Sequence, residues 1–332
     1  MNELNQLGEF GLIDLIKQDT INDQGSVVVG IGDDAAVLLP KPRQLLLLTT
    51  DMLVESVHFN LTTTTPWQLG YKAIGVNVSD IAAMGGVPRH ALVSIAIPPS
   101  TPAEFVVNLY KGMKEICQEH SINIVGGDTV SSPQGLVINV ALTGEVEPAS
   151  LVRRSGAKPG DIVAVTGWLG NSAAGLDLLT AGEWEDYNFA WPLVTAHLTP
   201  RPQVKAGQLL AAAGATSMDD ISDGLASEAH EIAKASKVGI KLFAARIPLA
   251  AELKEAADKL GKRALDYALY GGEDFQLVFT MESGKYEAFR MAYPDVTVFK
   301  VGEVVEASQG VTLVDEAGQV EAIEARGYNH FR

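Results

Sequence analysis

Residues Leu45–Phe59 read LLLLTTDMLVESVHF. The apolar run Leu45–Leu48 has the length and composition of a buried strand, and it delivers three oxygen-bearing side chains, Thr49, Thr50 and Asp51, to its end. A single polar strand end ordinarily faces water, but here the arrangement recurs. Asp33 and Asp34 follow Val27–Val29 in VVVGIGDDAAVL, Asp80 lies in GVNVSDIAAMGG, and Asp128 follows Ile122–Val125 in INIVGGDT. Asp219, Asp220 and Asp223 lie in SMDDISDGL, and Glu273 and Asp274 in YGGEDFQLVF. Most of these acids are flanked by glycine or an apolar strand rather than by Lys or Arg. Carboxylates that converge without cations repel one another, and oxygen-only donor sets suit hard cations such as Mg²⁺.

The rest of the chain is organised around these acids. Thr65-Pro66 is a helix start, with Thr as N-cap and Pro at the first helical position. The helix that follows, through WQLGYKAIGVNVSDIAAMGG, is almost wholly apolar or small, so it packs tightly on a sheet, with Asn77 and Asp80 on one face. An acid there needs a partner if it is buried, and a metal ion is the expected one. Strands are expected at Val27–Ile31, His90–Ile97, Ile122–Val125 and Leu136–Gly144, with an amphipathic helix over Pro102–His120. Beyond the turn Pro159-Gly160, the second half alternates strands and helices in the same way, with EWEDYNFAW read as an acidic, aromatic loop. A length of 332 residues accommodates two domains, and the boundary falls near residue 148, giving domains 1–148 and 149–332.

Composition narrows the function. A net charge of −16 argues against a nucleic-acid or anionic-membrane partner, which needs a basic surface. No apolar run is long enough to span a membrane, and the stretch MNELNQLGEFGLIDLI lacks the basic and apolar segments of a signal peptide, so the expected location is cytoplasmic. The single Cys117 reads as a buried thiol. There is no P-loop signature, GIGDDA lacks the third glycine of a dinucleotide-binding turn, and neither the protein-kinase motifs nor a nucleophile elbow is present. Asp side chains with Thr and Ser oxygens around Mg²⁺ suit phosphoryl transfer from a nucleotide, where positioning and charge neutralisation supply the catalysis.

Ten blocks then follow one another in order: GEFGLIDLI, VGIGDDAAV, LLTTDMLVESVHF, GYKAIGVNVSDIAAMGG, VGGDT, RRSGAKPGD, TGWLG, DISDGL, YGGEDFQLVFT and GYNHF. Together they resemble the thiamine-monophosphate kinase family, which shares the PurM-like fold of aminoimidazole ribonucleotide synthetase, over essentially the whole chain. The resemblance implies a two-domain α/β and α+β protein. Its N-terminal domain would form a β-barrel with that of a second subunit, giving a homodimer, and its C-terminal α+β domain would close the site. It implies transfer of phosphate from ATP to thiamine phosphate, giving thiamine diphosphate, the last step of that cofactor's biosynthesis. Several Mg²⁺ ions would assist, with no general base.

By motif match the Mg²⁺ ligands would be Asp34, Thr49, Thr50, Asp51, Asp80, Asp128, Asp220 and Asp223. ATP would meet Tyr110, Gly127, Asp128, Arg154 and Ser222, and thiamine phosphate would meet His58, Glu273 and Tyr328. Asp219 is an extra acid beside the DISDGL block, so the choice of Asp220 over Asp219 rests on alignment to Ile221-Ser222-Asp223. The alternatives are an ATP-dependent synthetase of the same fold, of the selenophosphate or purine-pathway type, a hydrogenase-maturation relative, and a non-catalytic metal- or nucleotide-binding protein. Selenophosphate synthetases carry a reactive Cys or Sec near the N-terminus, where this chain has GEFGLIDL.

Overall fold

The computed structural model describes residues 11–31, 35–182 and 184–326. The chain divides into two compact units. The first reaches to Ile81 and resumes over Val87–Pro148; the second comprises Ala82–Gly86 and the chain from Ala149 onward. No helix among the described residues is long and apolar enough to cross a membrane.

The first unit begins with the described part of helix α1, residues 11–16, and a small β1(Val27–Val29)–β2(Val37–Leu38) ribbon. Its main sheet has the order β3(Leu45–Val54)–β6(Val137–Val146)–β4(Val87–Ile97)–β5(Asn123–Ser131). β3 and β4 run antiparallel to β6, and β4 runs parallel to β5 across helix α3(Ala103–Glu119). Helix α2(Pro66–Ala83) starts where the sequence places it. Gln68 N–H meets Thr65 Oγ1 at 3.3 Å while Thr65 N–H reaches back to Gln68 Oε1 at 3.0 Å, a reciprocal cap that occupies two otherwise unpaired donors. α2 and α3 touch backbone to backbone. A Cβ at Gly70 would stand 1.9 Å from Leu109 O, and one at Gly112 would stand 1.8 Å from Trp67 O.

Two expectations are corrected here. Leu45–Leu48 is not a buried strand that stops before Thr49; the strand runs on to Val54, so Thr49, Thr50 and Asp51 lie inside it. β3 is also a sheet edge, with Leu46 and Leu48 exposed at 69% and 72% while Leu47 and Leu53 are buried. The register sets Leu46, Leu48, Thr50 and Met52 of β3 on the same face as Leu92 of β4 and Val130 of β5. That outward face is apolar, with Leu46, Leu48, Met52, Leu92 and Val130 all exposed.

The second unit carries a seven-stranded sheet in the order β13(Val320–Ala322)–β12(Val311–Val314)–β9(Gly239–Phe243)–β11(Val298–Val305)–β7(Ile162–Thr166)–β10(Leu277–Met281)–β8(Ser217–Asp220). All its pairs are antiparallel except β12 with β9. The central strands β7 and β10 are buried at every position, and their sequences, IVAVT and LVFTM, are apolar but for one threonine each. Helices α7(Leu225–Ser236) and α9(Ala264–Tyr270) contribute to the core with Val163, Val165 and Val278. Helices α6(Val204–Ala213) and α10(Ser283–Ala292) share the other core, with Ala164, Leu277 and Phe279. A third core joins α4(Asn171–Ala181), α5(Ala190–Leu198) and α8(Ala251–Leu260). The EWEDYNFAW stretch is therefore not all loop: its end opens α5, packed by Ala190, Leu193 and Val194. Helix α10 and the β12–β13 hairpin were not expected from the sequence.

Candidate functional site

In the first unit the site begins on β3. Side chains alternate across a strand, so Thr49 and Asp51 face one way and Thr50 the other. Thr49 Oγ1 donates to the Asp80 carboxylate on α2. Asp51 stands close enough to Asp80 to feel its charge. Burial, reinforced by Asp80, pushes the Asp51 carboxyl from 3.8 up to about 6. Two carboxylates are thus held together at a cost, as the sequence pattern requires of a cation site. One turn earlier on α2, Asn77 is fully buried; its Nδ2 donates to Ala73 O at 3.1 Å, while its Oδ1 has no hydrogen-bond partner. Asp51, Asp80 and Thr49 bring hard-oxygen donors together, a chemistry that fits Mg²⁺.

Other expected residues of this unit lie elsewhere. Thr50 Oγ1 donates to Asn139 Oδ1 at 2.9 Å on the outward face. Asp128 sits on β5, opposite Ser94, at the far edge of the sheet from β3 and on the face opposite Asp51. Gly127 is a steric necessity: at φ +154° its Cβ would stand 1.8 Å from Val93 O, just past the one-residue shift in the β4–β5 register between Ala91 and Leu92. His58 Nδ1 accepts from Val54 N–H at 3.0 Å, closing the turn after β3. The ring of Tyr110 is buried within the unit, and burial raises its hydroxyl's pKa. Asp34 and Tyr328 lie outside the described residues.

In the second unit two sequence blocks some fifty residues apart are tied together. Glu273 N–H donates to Ser222 O at 2.7 Å and Phe275 N–H to Ile221 O at 2.9 Å, so the YGGED loop is strapped onto DISDG. A Cβ at Gly272 would stand 2.6 Å from Ser222 O, which keeps that position glycine. Glu273 adopts the left-handed backbone (φ +66°) that non-glycine residues seldom take, a strain typical of functional loops. Its Oε2 lies 3.3 Å from His197 Nδ1 on α5, and Ser172 Oγ approaches the same nitrogen at 3.2 Å. Asp274 does different work. Its buried carboxylate accepts Gly170 N–H at 2.5 Å and Ser172 N–H at 3.1 Å, capping α4. Burial lifts it to about 7 against those hydrogen bonds.

Asp219 and Asp220 are separated by the strand's alternation. Asp219 pairs with Val278, whose core includes α7, and Asp220 with Leu277, whose core includes α6. Arg154 Nε lies 2.7 Å from Asp219 Oδ2, and Asp219 also meets Glu228. Glu228 Oε1 accepts Asp223 N–H at 3.0 Å. Burial, then Asp219, raises Glu228 to about 8, so this carboxyl pair retains a proton near neutrality. Asp219 is thus tied to Arg154 and Glu228, while Asp220 faces the other side of the strand.

Among the described residues no three His, Cys, Asp or Glu side chains gather as a ready metal-binding group; the carboxylates meet in pairs. Sequence reading missed Glu228, His197, Ser172, Asn139 and the Arg154–Asp219 pair. Glu228 had a signal: it falls at the helical spacing of Leu225, Ala229 and Ile232, an acid on an apolar face. Nothing local marked the others, whose side-chain partners are 25 to 89 residues away.

Two domain models match the chain: AIR synthase related protein, N-terminal domain, over residues 32–146, and AIR synthase related protein, C-terminal domain, over residues 158–315. These define its class, a two-domain AIR synthase related (PurM-like) protein. Full-length relatives narrow this. The thiamine-monophosphate kinase of Bacillus subtilis is 38% identical over 98% of this chain and 100% of its own, and that of Aquifex aeolicus is 40% identical over 99% of each. A solved structure described as AaThiL complexed with AMPPCP and TMP aligns with a TM-score of 0.80 at 39% identity, covering 99% of this chain and 98% of its own. The chain belongs to the thiamine-monophosphate kinase family. Escherichia coli HypE, a hydrogenase maturation protein, aligns with a TM-score of 0.75 at 22% identity and shares the fold alone.

Proposed function

We propose that this protein is a thiamine-phosphate kinase: it transfers the γ-phosphoryl group of ATP to the phosphate of thiamine phosphate, giving thiamine diphosphate and ADP. The carrying observation is the end-to-end similarity to thiamine-monophosphate kinases, including a relative whose structure holds an ATP analogue together with TMP. The geometry agrees with it. The acceptor oxygen of a phosphate monoester is already anionic near neutral pH, so no base has to remove a proton from it. The problem is repulsion between two polyanions. Mg²⁺, when bound, would supply charge neutralisation at the phosphate oxygens. In the first unit we assign Mg²⁺ to Thr49, Asp51 and Asp80, with Asp34, Thr50 and Asp128, and in the second unit to Asp220 and Asp223.

Arg154, Ser222, Gly127 and Tyr110 are assigned to ATP, and His58, Glu273 and Tyr328 to thiamine phosphate. His197 and Ser172 hold Glu273 in place. The working form is a homodimer in the cytoplasm, acting at the last step of thiamine diphosphate synthesis. Two features support the dimer. The outward face of the four-stranded sheet is apolar and exposed, as an interface requires. The strands bearing Thr50 and Asp128 are the two sheet edges, separated by three strand spacings or roughly 14 Å, further than two short side chains on one ion allow. A second copy against the outward face supplies the missing neighbour.

The test is product formation with ATP, Mg²⁺ and either thiamine phosphate or free thiamine, separated by chromatography. Thiamine diphosphate from thiamine phosphate alone is expected. No product from either acceptor, with ATP still bound, would refute the assignment and favour a synthetase of the same fold.

A further inference from the structure

The extra acid of SMDDISDGL finds its place in a chain of contacts through the second unit. Arg154 precedes β7 and lies against β8, the open edge of the seven-stranded sheet. Its backbone is anchored on both sides: Met218 N–H donates to Arg153 O at 3.0 Å, and Ser236 Oγ of α7 donates to Arg154 O at 3.1 Å. Ser236 Oγ also accepts the next free amides, Gly156 N–H and Ala157 N–H, each at 3.1 Å. The side chain is half exposed, whereas the Asp219 carboxylate that meets it is 4% exposed. The contact is through Nε. At 2.7 Å this is an ion pair rather than an aligned hydrogen bond, since Asp219 Oδ2 accepts none among the described residues; an arginine paired at Nε keeps the four N–H donors of its two terminal nitrogens for other acceptors.

We propose that Asp219 is a positioning residue: by its ion pair at Nε, from a carboxylate buried on a strand, it holds the guanidinium in place with both terminal nitrogens left for the phosphate oxygens of a nucleotide, while Glu228 links the same carboxylate to the backbone of the Asp223 loop. This rests on the nucleotide reading of the site above. Three features distinguish the arrangement from an ordinary ion pair. A surface pair fixes nothing and contributes little, but here the acid is buried on a strand and its geometry is set by the sheet. Two buried acids serve one cation, which is costly compared with apolar packing and is explained by placement rather than by stability. Finally, Glu228 joins Asp219 to Asp223 N–H at 3.0 Å, so the side chain assigned to ATP and the loop assigned to the cation share one support.

The experiment is calorimetric binding of AMPPCP with Mg²⁺ to the full chain, in wild type, Asp219→Asn, Arg154→Ala and the double variant, with melting curves for each. Losing the guanidinium's hydrogen bonds to phosphate, directly in Arg154→Ala or by misplacement in Asp219→Asn, predicts about tenfold weaker binding for each single variant. The double variant should bind no more weakly than Arg154→Ala. A merely structural Asp219 would weaken binding equally in both backgrounds, and that result overturns the proposal. So does wild-type affinity in folded Asp219→Asn or in Arg154→Ala. Should Asp219→Asn fail to fold, Arg154→Lys decides. It keeps the charge without the planar fork, so it should bind as weakly as Arg154→Ala, and wild-type affinity in it overturns the proposal. Calorimetry needs no thiamine phosphate. Wild-type protein that binds AMPPCP but makes no thiamine diphosphate sinks the kinase assignment while leaving the positioning role standing; wild-type protein that binds no nucleotide sinks both.

Discussion

Replacing Asp51 by Asn should stabilise the metal-free protein and abolish its activity. Burial and the Asp80 charge raise the Asp51 carboxyl from 3.8 to about 6, which corresponds to about 3 kcal/mol of preference for the neutral form. The sign follows from linkage. With the folded pKa above the unfolded one, the group's stabilising contribution is complete below about pH 4 and is lost as pH rises through 6. At pH 8 the wild-type first unit therefore carries a charged, repelled carboxylate that Asn removes at nearly constant shape. In EDTA at pH 8, Asp51→Asn should melt higher by about 5 °C or more, since 1 kcal/mol moves a unit of this size by a few degrees. The advantage should shrink steadily as pH is lowered to 4. Mg²⁺ should reverse the order, because it binds only the folded wild type with full strength. Scanning calorimetry over pH, with EDTA or with Mg²⁺, reads all of this, and product formation from thiamine phosphate reads the activity. A lower melting temperature for Asp51→Asn in EDTA at pH 8, or an equal rise of both proteins in Mg²⁺, would refute the idea that Asp51 and Asp80 are held together for a cation.

Three further outcomes are expected. Gly127→Ala would force a Cβ to 1.8 Å from Val93 O in a backbone conformation that suits glycine, so it should cost several kcal/mol and lower the melting temperature of the first unit, and wild-type melting would contradict the register described for β4 and β5. His197→Ala removes the 3.3 Å contact to Glu273, so steady-state kinetics should give KM for thiamine phosphate about tenfold higher with KM for ATP unchanged; equal changes in both would point to general unfolding of the loop. Leu48→Glu places a charge on the 72%-exposed outward face, and sedimentation should show the dimer dissociating to monomer with loss of activity. An active dimeric variant would move the interface elsewhere.

Much of this protein is legible along the chain because its signals are local. The Thr65-Pro66 start of α2, the largely apolar strands β7 and β10, and the glycine-flanked acids all depend on neighbours within a turn or a strand. The family resemblance adds the order of ten such blocks. What escaped was set at a distance. LLLL reads as buried in any context, yet β3 is an edge strand whose outward leucines lie in the open, because only the sheet order decides which face is covered. Asp219 and Asp220 are equal candidates in sequence. The β8–β10 register turns one toward Arg154 and Glu228 and leaves the other on the opposite face. Glu273 and Asp274, also adjacent, divide into a strained residue beside His197 and a buried cap of α4. The sequence by itself determined the kinds of donors, their glycine settings and the elements that carry them. Which carboxylate meets which partner was decided by tertiary structure alone, because strand alternation and register fix the direction of a side chain only once the neighbouring strand is in place.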